Sequence, residues 1–372
     1  MAVGILLDPL RVGREAEVLE TKLRQCVIGQ DEAVRQIVGV YQTYLAGLTA
    51  PGRPIGSFLF LGPTGSGKTR TVEAVAEALA GDSRAVIKID CAEYQHGHEI
   101  AKLIGSPPGY LGHRETHPLL SQEMLNQYQT ETLKLSFVLF DEIEKASDTL
   151  WNLLLGILDK ATLTLGDNRR VDFSHTVIFM TGNLGAREIE SLVRPKLGFA
   201  PAAAAAVHLA VATPGREDAS RISQAGIEAA RRRFSPEFMN RLDKVVVFNL
   251  LSDDDLRGIL ALELDLLRDR IHSIGISSVS LAISNEAQEF LLQEGTDARY
   301  GARHLKRTLE RLVVQPLANL IATAQIQEGD SIQVELHRGP LSSRLAFFKE
   351  RRDSAGRPVI VKDTASTGVA AA

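Results

Sequence analysis

One eight-residue segment constrains the fold of this chain more than any other feature of its sequence. An apolar run at residues 57–61 predicts a β-strand, and directly after it come Gly62, Pro63, Thr64, Gly65, Ser66, Gly67, Lys68 and Thr69. They match the G-x-x-x-x-G-K-[ST] pattern of a phosphate-binding loop, or P-loop. Glycines let backbone N–H groups converge on phosphate oxygens, and the N-terminus of the following helix adds partial positive charge. The pattern predicts nucleotide binding, with Lys68 on the β- and γ-phosphates and Thr69 ligating Mg²⁺.

A second motif supplies the acidic groups that such a site needs. The apolar run at residues 137–140 is followed at once by Asp141 and Glu142. Acids at the carboxyl end of a strand beside a P-loop strand can hold the metal and activate water. We therefore expect Asp141 to support Mg²⁺ and Glu142 to act as the general base toward the attacking water. The two motifs together predict a phosphoryl-transfer site.

The remaining apolar pattern predicts an α/β fold. Nearly continuous apolar strands are expected at residues 57–61, 85–89, 136–140, 176–180 and 245–248. Such strands, alternating with helices, are typical of a parallel sheet covered by helices on both faces. The helix after the P-loop follows from the spacing of Val72, Val75, Ala76 and Leu79, with Gly81 placed to end it. After Leu250, helices near residues 253–274, from 285 and from 302, and strands at 279–283 and 332–336, predict a smaller, mostly helical α+β domain.

These patterns divide the chain into four parts. We expect an N-terminal extension at residues 1–25 and a large nucleotide-binding domain at 26–248. A C-terminal small domain should follow at 249–338, and a disordered tail at 339–372. Residues 200–219, with an Ala run and two prolines, are predicted to be an exposed loop of the large domain.

Composition excludes several kinds of protein. Lys and Arg total 42 against 46 Asp and Glu, so the net charge of −4 argues against a nucleic-acid partner. The two cysteines, Cys26 and Cys91, cannot form a disulfide scaffold. No apolar run approaches the roughly 20 residues that span a bilayer. We expect a soluble protein of the cytoplasm without membrane contact.

Three further segments resemble a known family, the Clp-type AAA+ ATPases. They are residues 27–30 (VIGQ), residues 53–61 leading into the P-loop, and residues 234–243 (FSPEFMNRLD). The resemblance covers about residues 25–337 and is strongest to the second AAA+ module of Clp disaggregases and protease-partner unfoldases. It implies the AAA+ form of the P-loop NTPase fold, with ATP and Mg²⁺ as cofactors. It also implies a homo-oligomeric ring, expected to be a hexamer, that threads unfolded or aggregated polypeptides through a central pore.

The resemblance assigns roles to five further residues. Val27 and Ile28 would line the adenine pocket, and packing in the core is the alternative. Asn183 occupies the sensor 1 position and would help to orient water, although a turn Asn is the simpler alternative. Arg241 matches the arginine finger that reaches a neighbouring subunit's nucleotide, whereas an Arg at such a position is more often in a surface ion pair. Arg303 matches sensor 2, which contacts nucleotide from the small domain.

A turn-rich segment at residues 105–112 matches the family's pore loop. Gly109, Tyr110 and Leu111 form its tip, and an aromatic ring there can contact almost any polypeptide. The alternative is that Tyr110 anchors the loop locally. After Gly112 this sequence departs from the family, which usually continues with acidic and Gly-rich residues, so the contacts of the loop could differ.

One tripeptide leaves two interpretations open. Leu197, Gly198 and Phe199 lie where protease-partner members carry a segment that docks on the Clp peptidase. The same apolar residues could instead pin the loop to the core.

The leading functional hypothesis is therefore an ATP-hydrolysing, ring-forming AAA+ unfoldase or disaggregase that acts as a chaperone or as the partner of a peptidase. An AAA+ ATPase that remodels nucleic acids is one alternative, and an ATP-regulated scaffold with little turnover is another.

Overall fold

In the computed structural model of the chain, the described residues are 8–9, 11–106, 117–131, 133–186, 188–189, 216–273, 279–297, 301–339, 343–352 and 358–359. The predictions for Gly109, Tyr110 and Leu111, and for Leu197, Gly198 and Phe199, lie outside these residues. The described residues up to Ser252 and those from Asp253 onward form two compact units.

A five-stranded parallel sheet forms the centre of the first unit. The strands of this unit are β1 (Gly56–Leu61), β2 (Ile87–Asp90), β3 (Ser136–Asp141), β4 (Thr162–Thr164), β5 (Arg170–Asp172), β6 (Thr176–Gly182) and β7 (Lys244–Val247). The sheet has the order β2-β3-β6-β1-β7 and all its pairs are parallel, while β4 and β5 form a separate antiparallel pair. Every residue of β1 and β6 is buried. The parallel, two-sided sheet predicted from the apolar runs is confirmed.

Helices cover both faces of this sheet. They are α1 (Arg14–Cys26), α2 (Asp31–Leu45), α3 (Lys68–Ala80), α4 (Ala101–Ile104), α5 (Gln122–Asn126), α6 (Asp148–Lys160), α7 (Arg216–Arg233) and α8 (Pro236–Arg241). On one face, α1, α2 and α3 enclose a core that includes Phe58 stacked on Phe179 at 5.2 Å between ring centroids. On the other face, the core contains α6 residues such as Leu154 and Ile157. As expected, α3 ends at Gly81, whose positive φ of 76° suits glycine.

Two sequence-based assignments in the first unit need correction. Residues 1–25 were expected to be an N-terminal extension outside the large domain, but α1 packs against α2 and α3 within the first unit. Ala16, Leu19 and Leu23 are buried at helical spacing, and these few positions are the apolar face of a largely charged helix. The predicted loop at 200–219 is also too long, because α7 already begins at Arg216.

The second unit combines helices with a small sheet. Its helices are α9 (Asp253–Ser273), α10 (Asn285–Gly295), α11 (Ala302–Leu309) and α12 (Gln315–Ala322), with a π-helical turn at Glu310–Val314. Its strands are β8 (Ser280–Ile283), β9 (Ser331–Arg338), β10 (Ser343–Arg352) and β11 (Pro358–Val359), in the order β11-β10-β9-β8. The predicted α+β character is present.

Strand β10 differs from the disordered tail expected after residue 338. It pairs with β9 in antiparallel register from Ser343 opposite Arg338 to Glu350 opposite Ser331. Phe347 lies opposite Val334, which is fully buried. The Arg- and Ser-rich composition concealed this strand, since its apolar residues are confined to positions 345–348. None of the described helices is long and apolar enough to span a membrane.

Candidate functional site

The chemically important side chains of the first unit gather at one edge of its sheet. The P-loop follows β1, Asp141 ends β3, and Asn183 follows β6. Since all these strands are parallel, their carboxyl ends lie at the same edge. Ligands bind at this edge in open α/β sheets, where the strand order reverses.

The P-loop backbone requires glycine at several positions. Gly62, Gly65 and Gly67 have φ values of 134°, 80° and 101°, in the region that residues with a Cβ rarely adopt. A Cβ on Gly62 would also lie 2.7 Å from the Phe248 carbonyl oxygen. Gly67 is the N-cap of α3 and has no side chain to accept from the first helical N–H groups. This helix N-terminus can therefore bind an anion such as phosphate.

Lys68 is held over this loop. Its ammonium Nζ donates to the carbonyl oxygens of Gly62 at 2.9 Å and Pro63 at 2.8 Å, and to Oδ1 of Asn183 at 3.1 Å. The residue is only 8% exposed. A buried, oriented ammonium at the mouth of a P-loop provides positive charge where phosphate oxygens would bind.

Thr69 and Asp141 face each other beside the loop. The Thr69 hydroxyl lies 3.5 Å and 3.4 Å from the two carboxylate oxygens of Asp141. Hydroxyl and carboxylate oxygens are ligands suited to Mg²⁺, which commonly takes its other ligands from phosphate and water. In the described part of the chain, no group of three His, Cys, Asp or Glu side chains could hold a metal on its own. The pair fits a cation that is shared with a bound nucleotide.

Glu142 has an unusual backbone and two side-chain partners. Its φ of 56° places it in the left-handed region, which is unfavourable for a residue other than glycine. One carboxylate oxygen accepts from Nδ2 of Asn183 at 3.3 Å, and the other pairs with the Lys145 ammonium. This hydrogen bond to Glu142 raises the pKa of Lys145 above its ordinary value. The carboxylate is thus held at the same edge of the sheet as Lys68.

Asn183 connects the P-loop to the acidic loop. Its Oδ1 accepts from Lys68, and from the Thr64 hydroxyl at 3.4 Å, while its Nδ2 donates to Glu142. Its backbone N–H donates to Oε1 of Glu144 at 3.0 Å. The side chain therefore bonds both motifs rather than only its own turn. This geometry suits a residue that orients groups around a phosphate.

Gln30 is a residue whose role sequence analysis missed. It is 3% exposed, and its Nε2 donates to the carbonyl oxygens of Ser66 and Asn249, both at 3.1 Å. Its Oε1 accepts from the Asn249 N–H at 3.0 Å. Its neighbour Val27 is 8% exposed and packs in the core under α1–α3, while Ile28 is half-buried. The only signal for Gln30 was its place in the segment 27–30.

Arg241 lies at the opposite edge of the sheet from the P-loop. Its carbonyl oxygen accepts from the hydroxyl of Ser57, near the start of β1, at 3.4 Å. The two ends of this six-residue strand are about 16 Å apart. Its guanidinium pairs with Glu237 at 2.7 Å and Asp159 at 3.4 Å, and its pKa is raised chiefly by the hydrogen bond to Glu237. Within one chain Arg241 is thus in surface ion pairs, the alternative left open above.

Arg303 lies in the second unit. It is exposed in the first turn of α11, directly after Gly301 and Ala302. The structure thus places it at a helix N-terminus, and its assignment as sensor 2 stays a prediction.

The comparison with known families decides which kind of P-loop protein this is. Residues 53–245 match the family model described as AAA domain (Cdc48 subfamily), and residues 251–334 match the C-terminal, D2-small domain, of ClpB protein. The chain belongs to the Clp-type AAA+ ATPases. The family resemblance and the fold class predicted from the sequence are both confirmed.

Several Clp-type AAA+ ATPases are similar along most of this chain. A chaperone protein ClpB of Bdellovibrio bacteriovorus is 37% identical over 324 residues, covering 87% of this chain and 34% of that protein. An ATP-dependent Clp protease ATP-binding subunit ClpC of Staphylococcus saprophyticus is 37% identical, covering 91% of this chain and 38% of that protein. A closed-state cryo-EM reconstruction of Hsp104 with ATPγS and FITC casein has a TM-score of 0.71 at 28% identity. The match covers 90% of this chain and 52% of the Hsp104 chain. The chain spans about a third of the length of these curated relatives.

Proposed function

We propose that this chain binds ATP with Mg²⁺, hydrolyses it, and uses the cycle in a homo-oligomeric ring to unfold or disaggregate polypeptides. The observation that carries the proposal is Asn183, which bonds Lys68 of the P-loop and Glu142 of the acidic loop at once. The ammonium, the carboxylate and the amide between them lie together at one edge of the sheet, which supports phosphate binding and activation of water there. Membership of the Clp-type AAA+ ATPases supports ATP as the nucleotide.

The proposed chemistry follows from the positions of these groups. Lys68 and the N-terminus of α3 would neutralise phosphate charge, and Thr69 with Asp141 would hold Mg²⁺. Glu142 would accept a proton from the attacking water, while the Asn183 amide would orient it. Magnesium would supply charge neutralisation at the β- and γ-phosphate oxygens. Catalysis would then consist of positioning and electrostatic stabilisation, as phosphoryl transfer requires.

The place of Arg241 supports action between neighbouring chains. Arg241 lies at the amino edge of the sheet, about one strand length from the P-loop of its own chain, so its guanidinium cannot reach a nucleotide bound there. A guanidinium matches the charge that develops on a transferring phosphoryl group. We propose that Arg241 acts on the nucleotide of the adjacent copy in a ring, expected to be a hexamer, and that Arg303 contacts the nucleotide from the small unit. Val27 and Ile28 would contribute the apolar wall of the adenine site.

The substrate and partners are proposed from the relatives. The similar proteins are named as chaperones and as a protease subunit, and the Hsp104 reconstruction contains casein. We propose that Gly109, Tyr110 and Leu111 form the tip of a pore loop that contacts a threaded polypeptide. Leu197, Gly198 and Phe199 are the candidate docking segment for a Clp peptidase. A cytoplasmic location would suit this activity.

The proposal is tested by ATP turnover and protein unfolding measured together. The wild-type chain should hydrolyse ATP faster when an unfolded protein is added. Glu142→Gln should still bind ATP but lose at least about 100-fold in turnover, because the base is gone. Tyr110→Ala should lose unfolding, whereas Tyr110→Phe, which keeps the ring, should retain it. Absence of ATP turnover in the wild type would refute the proposed hydrolysis. Normal unfolding by Tyr110→Ala would refute the proposed threading.

A further inference from the structure

We propose that Thr181 is a positioning residue for ATP hydrolysis, which acts by fixing the backbone that carries Glu142. This inference rests on the proposed hydrolytic function. Thr181 is the residue of β6 two positions before Asn183, and it is 1% exposed. Sequence analysis assigned a role to Asn183 but none to Thr181, because a threonine inside a buried strand is usually a packing residue.

The Thr181 hydroxyl joins both acids of the site. Its oxygen accepts a hydrogen bond from the backbone N–H of Glu142 at 3.1 Å, and its proton is donated to Oδ1 of Asp141. A hydroxyl has one proton, so the two bonds have fixed directions. The side chain therefore connects the carboxylate suited to the metal with the peptide unit that directs the base.

This bond stabilises a costly backbone conformation. A left-handed φ in a residue other than glycine persists only where its surroundings impose it. Without the Thr181 hydroxyl, the backbone N–H of Glu142 would lose this acceptor. The peptide unit between Asp141 and Glu142 would then be free to rotate. Rotation at residue 142 changes where its carboxylate points, and misplacement of a reacting group by about 1 Å is enough to slow a reaction about 100-fold.

The rest of the acidic loop has independent anchors. Glu144 accepts from the Asn183 N–H through Oε1 at 3.0 Å, and its carbonyl oxygen accepts from the Arg233 guanidinium at 2.7 Å. Arg233 lies over the Trp151 ring at 4.4 Å, and the Trp151 indole N–H donates to the Ile143 carbonyl oxygen at 3.1 Å. Removal of the Thr181 hydroxyl should therefore disturb Glu142 while the loop itself stays in place.

The test replaces the hydroxyl with a methyl group of similar size. Thr181→Val should lower kcat by about 10- to 100-fold, while the Kd for a fluorescent ATP analogue changes by less than about 3-fold. Thr181→Ser restores the hydroxyl and should recover most of kcat. Thr176→Val is the matched control, because Thr176 is equally buried at the other end of β6. Thr181→Ala replaces Thr181→Val if the latter melts more than a few degrees below the control.

A double variant separates positioning from a structural role. If Thr181 acts through Glu142, adding Thr181→Val to Glu142→Gln should lower the residual turnover no further, because the base is already absent. Wild-type kcat in Thr181→Val, failure of Thr181→Ser to recover activity, or a full additional loss in the double variant would overturn the inference. A wild-type chain that binds ATP without hydrolysing it would instead refute the proposed function. The failure of the inference about Thr181 can therefore be told apart from the failure of the proposed function.

Discussion

At the scale of the residue, the site depends on buried side chains that join segments far apart in the sequence. Lys68, Asp141 and Glu142 were predictable, because each sits in a motif directly after an apolar strand. Gln30 and Thr181 were not, because their roles exist only once strands from different parts of the chain lie side by side. Gln30 bonds Asn249, which is 219 positions away. Spacing within a sequence carries no signal for such a pair.

Gln30 provides a stability prediction at this scale. Gln30→Ala removes three hydrogen bonds and leaves backbone groups of Ser66 and Asn249 without these partners. Losing buried hydrogen bonds in this way should cost about 2–4 kcal/mol in the free energy of unfolding, and should weaken ATP binding because Ser66 belongs to the P-loop. Urea unfolding and nucleotide titration measure the two effects.

The matched control is Gln36→Ala in α2. The Gln36 side-chain amide donates to the exposed Glu32 carboxylate at 2.7 Å on the surface of α2, so its loss should change stability by less than about 0.5 kcal/mol. Equal stability of the two variants would show that Gln30 does not hold the loop.

At the scale of the element, the second unit shows how local chemistry changes a helix. Between α11 and α12 the backbone widens into a π-helical turn, in which the Gln315 N–H bonds the Glu310 carbonyl oxygen five residues back. Pro316 follows directly, and a proline has no N–H and clashes with the preceding helical turn. The wider turn accommodates this ring without ending the helix. The sequence predicted the helix from residue 302 but not this change of pitch.

The role of strand β10, which the composition concealed, can be tested at Phe347. Phe347 lies opposite buried Val334, whereas its neighbour Phe348 lies opposite Gln333 and on the other face. Phe347→Ala should lower the local opening free energy of β9 by about 1–2 kcal/mol, because it uncovers the core-facing side. Hydrogen exchange at the β9 amides should then be about 10-fold faster. Phe348→Ala is the control, and equal exchange in the two variants would show that β10 does not cover this core.

At the scale of the whole molecule, the two edges of the sheet have different roles. The carboxyl edge carries the proposed nucleotide site, and the amino edge carries Arg241 next to Ser57. The parallel order of the strands, which the apolar runs predicted, is what separates these groups. The sequence could identify Arg241 and the P-loop as candidate site residues. Only the folded sheet shows that they lie at opposite edges of it within one chain.

A mixing experiment tests whether the two edges meet between copies. Glu142→Gln keeps Arg241 but lacks the base, and Arg241→Ala keeps the base but lacks the guanidinium. Each alone should lose at least about 100-fold in ATP turnover, and mixing them should restore part of it, because the arginine of one copy serves the intact site of its neighbour. Mixing Arg241→Ala with the variant that carries both substitutions is the control and should restore nothing. Full turnover by Arg241→Ala alone would rule out this arrangement.

The two carboxylates beside Arg241 have a further consequence for assembly. In a single chain its guanidinium already has Glu237 and Asp159 as counter-charges. Contact with a neighbour's nucleotide would therefore exchange one set of charge partners for another, and the net electrostatic gain would be small. In the proposed ring, such an exchange would leave the contact between neighbouring copies easy to break and re-form.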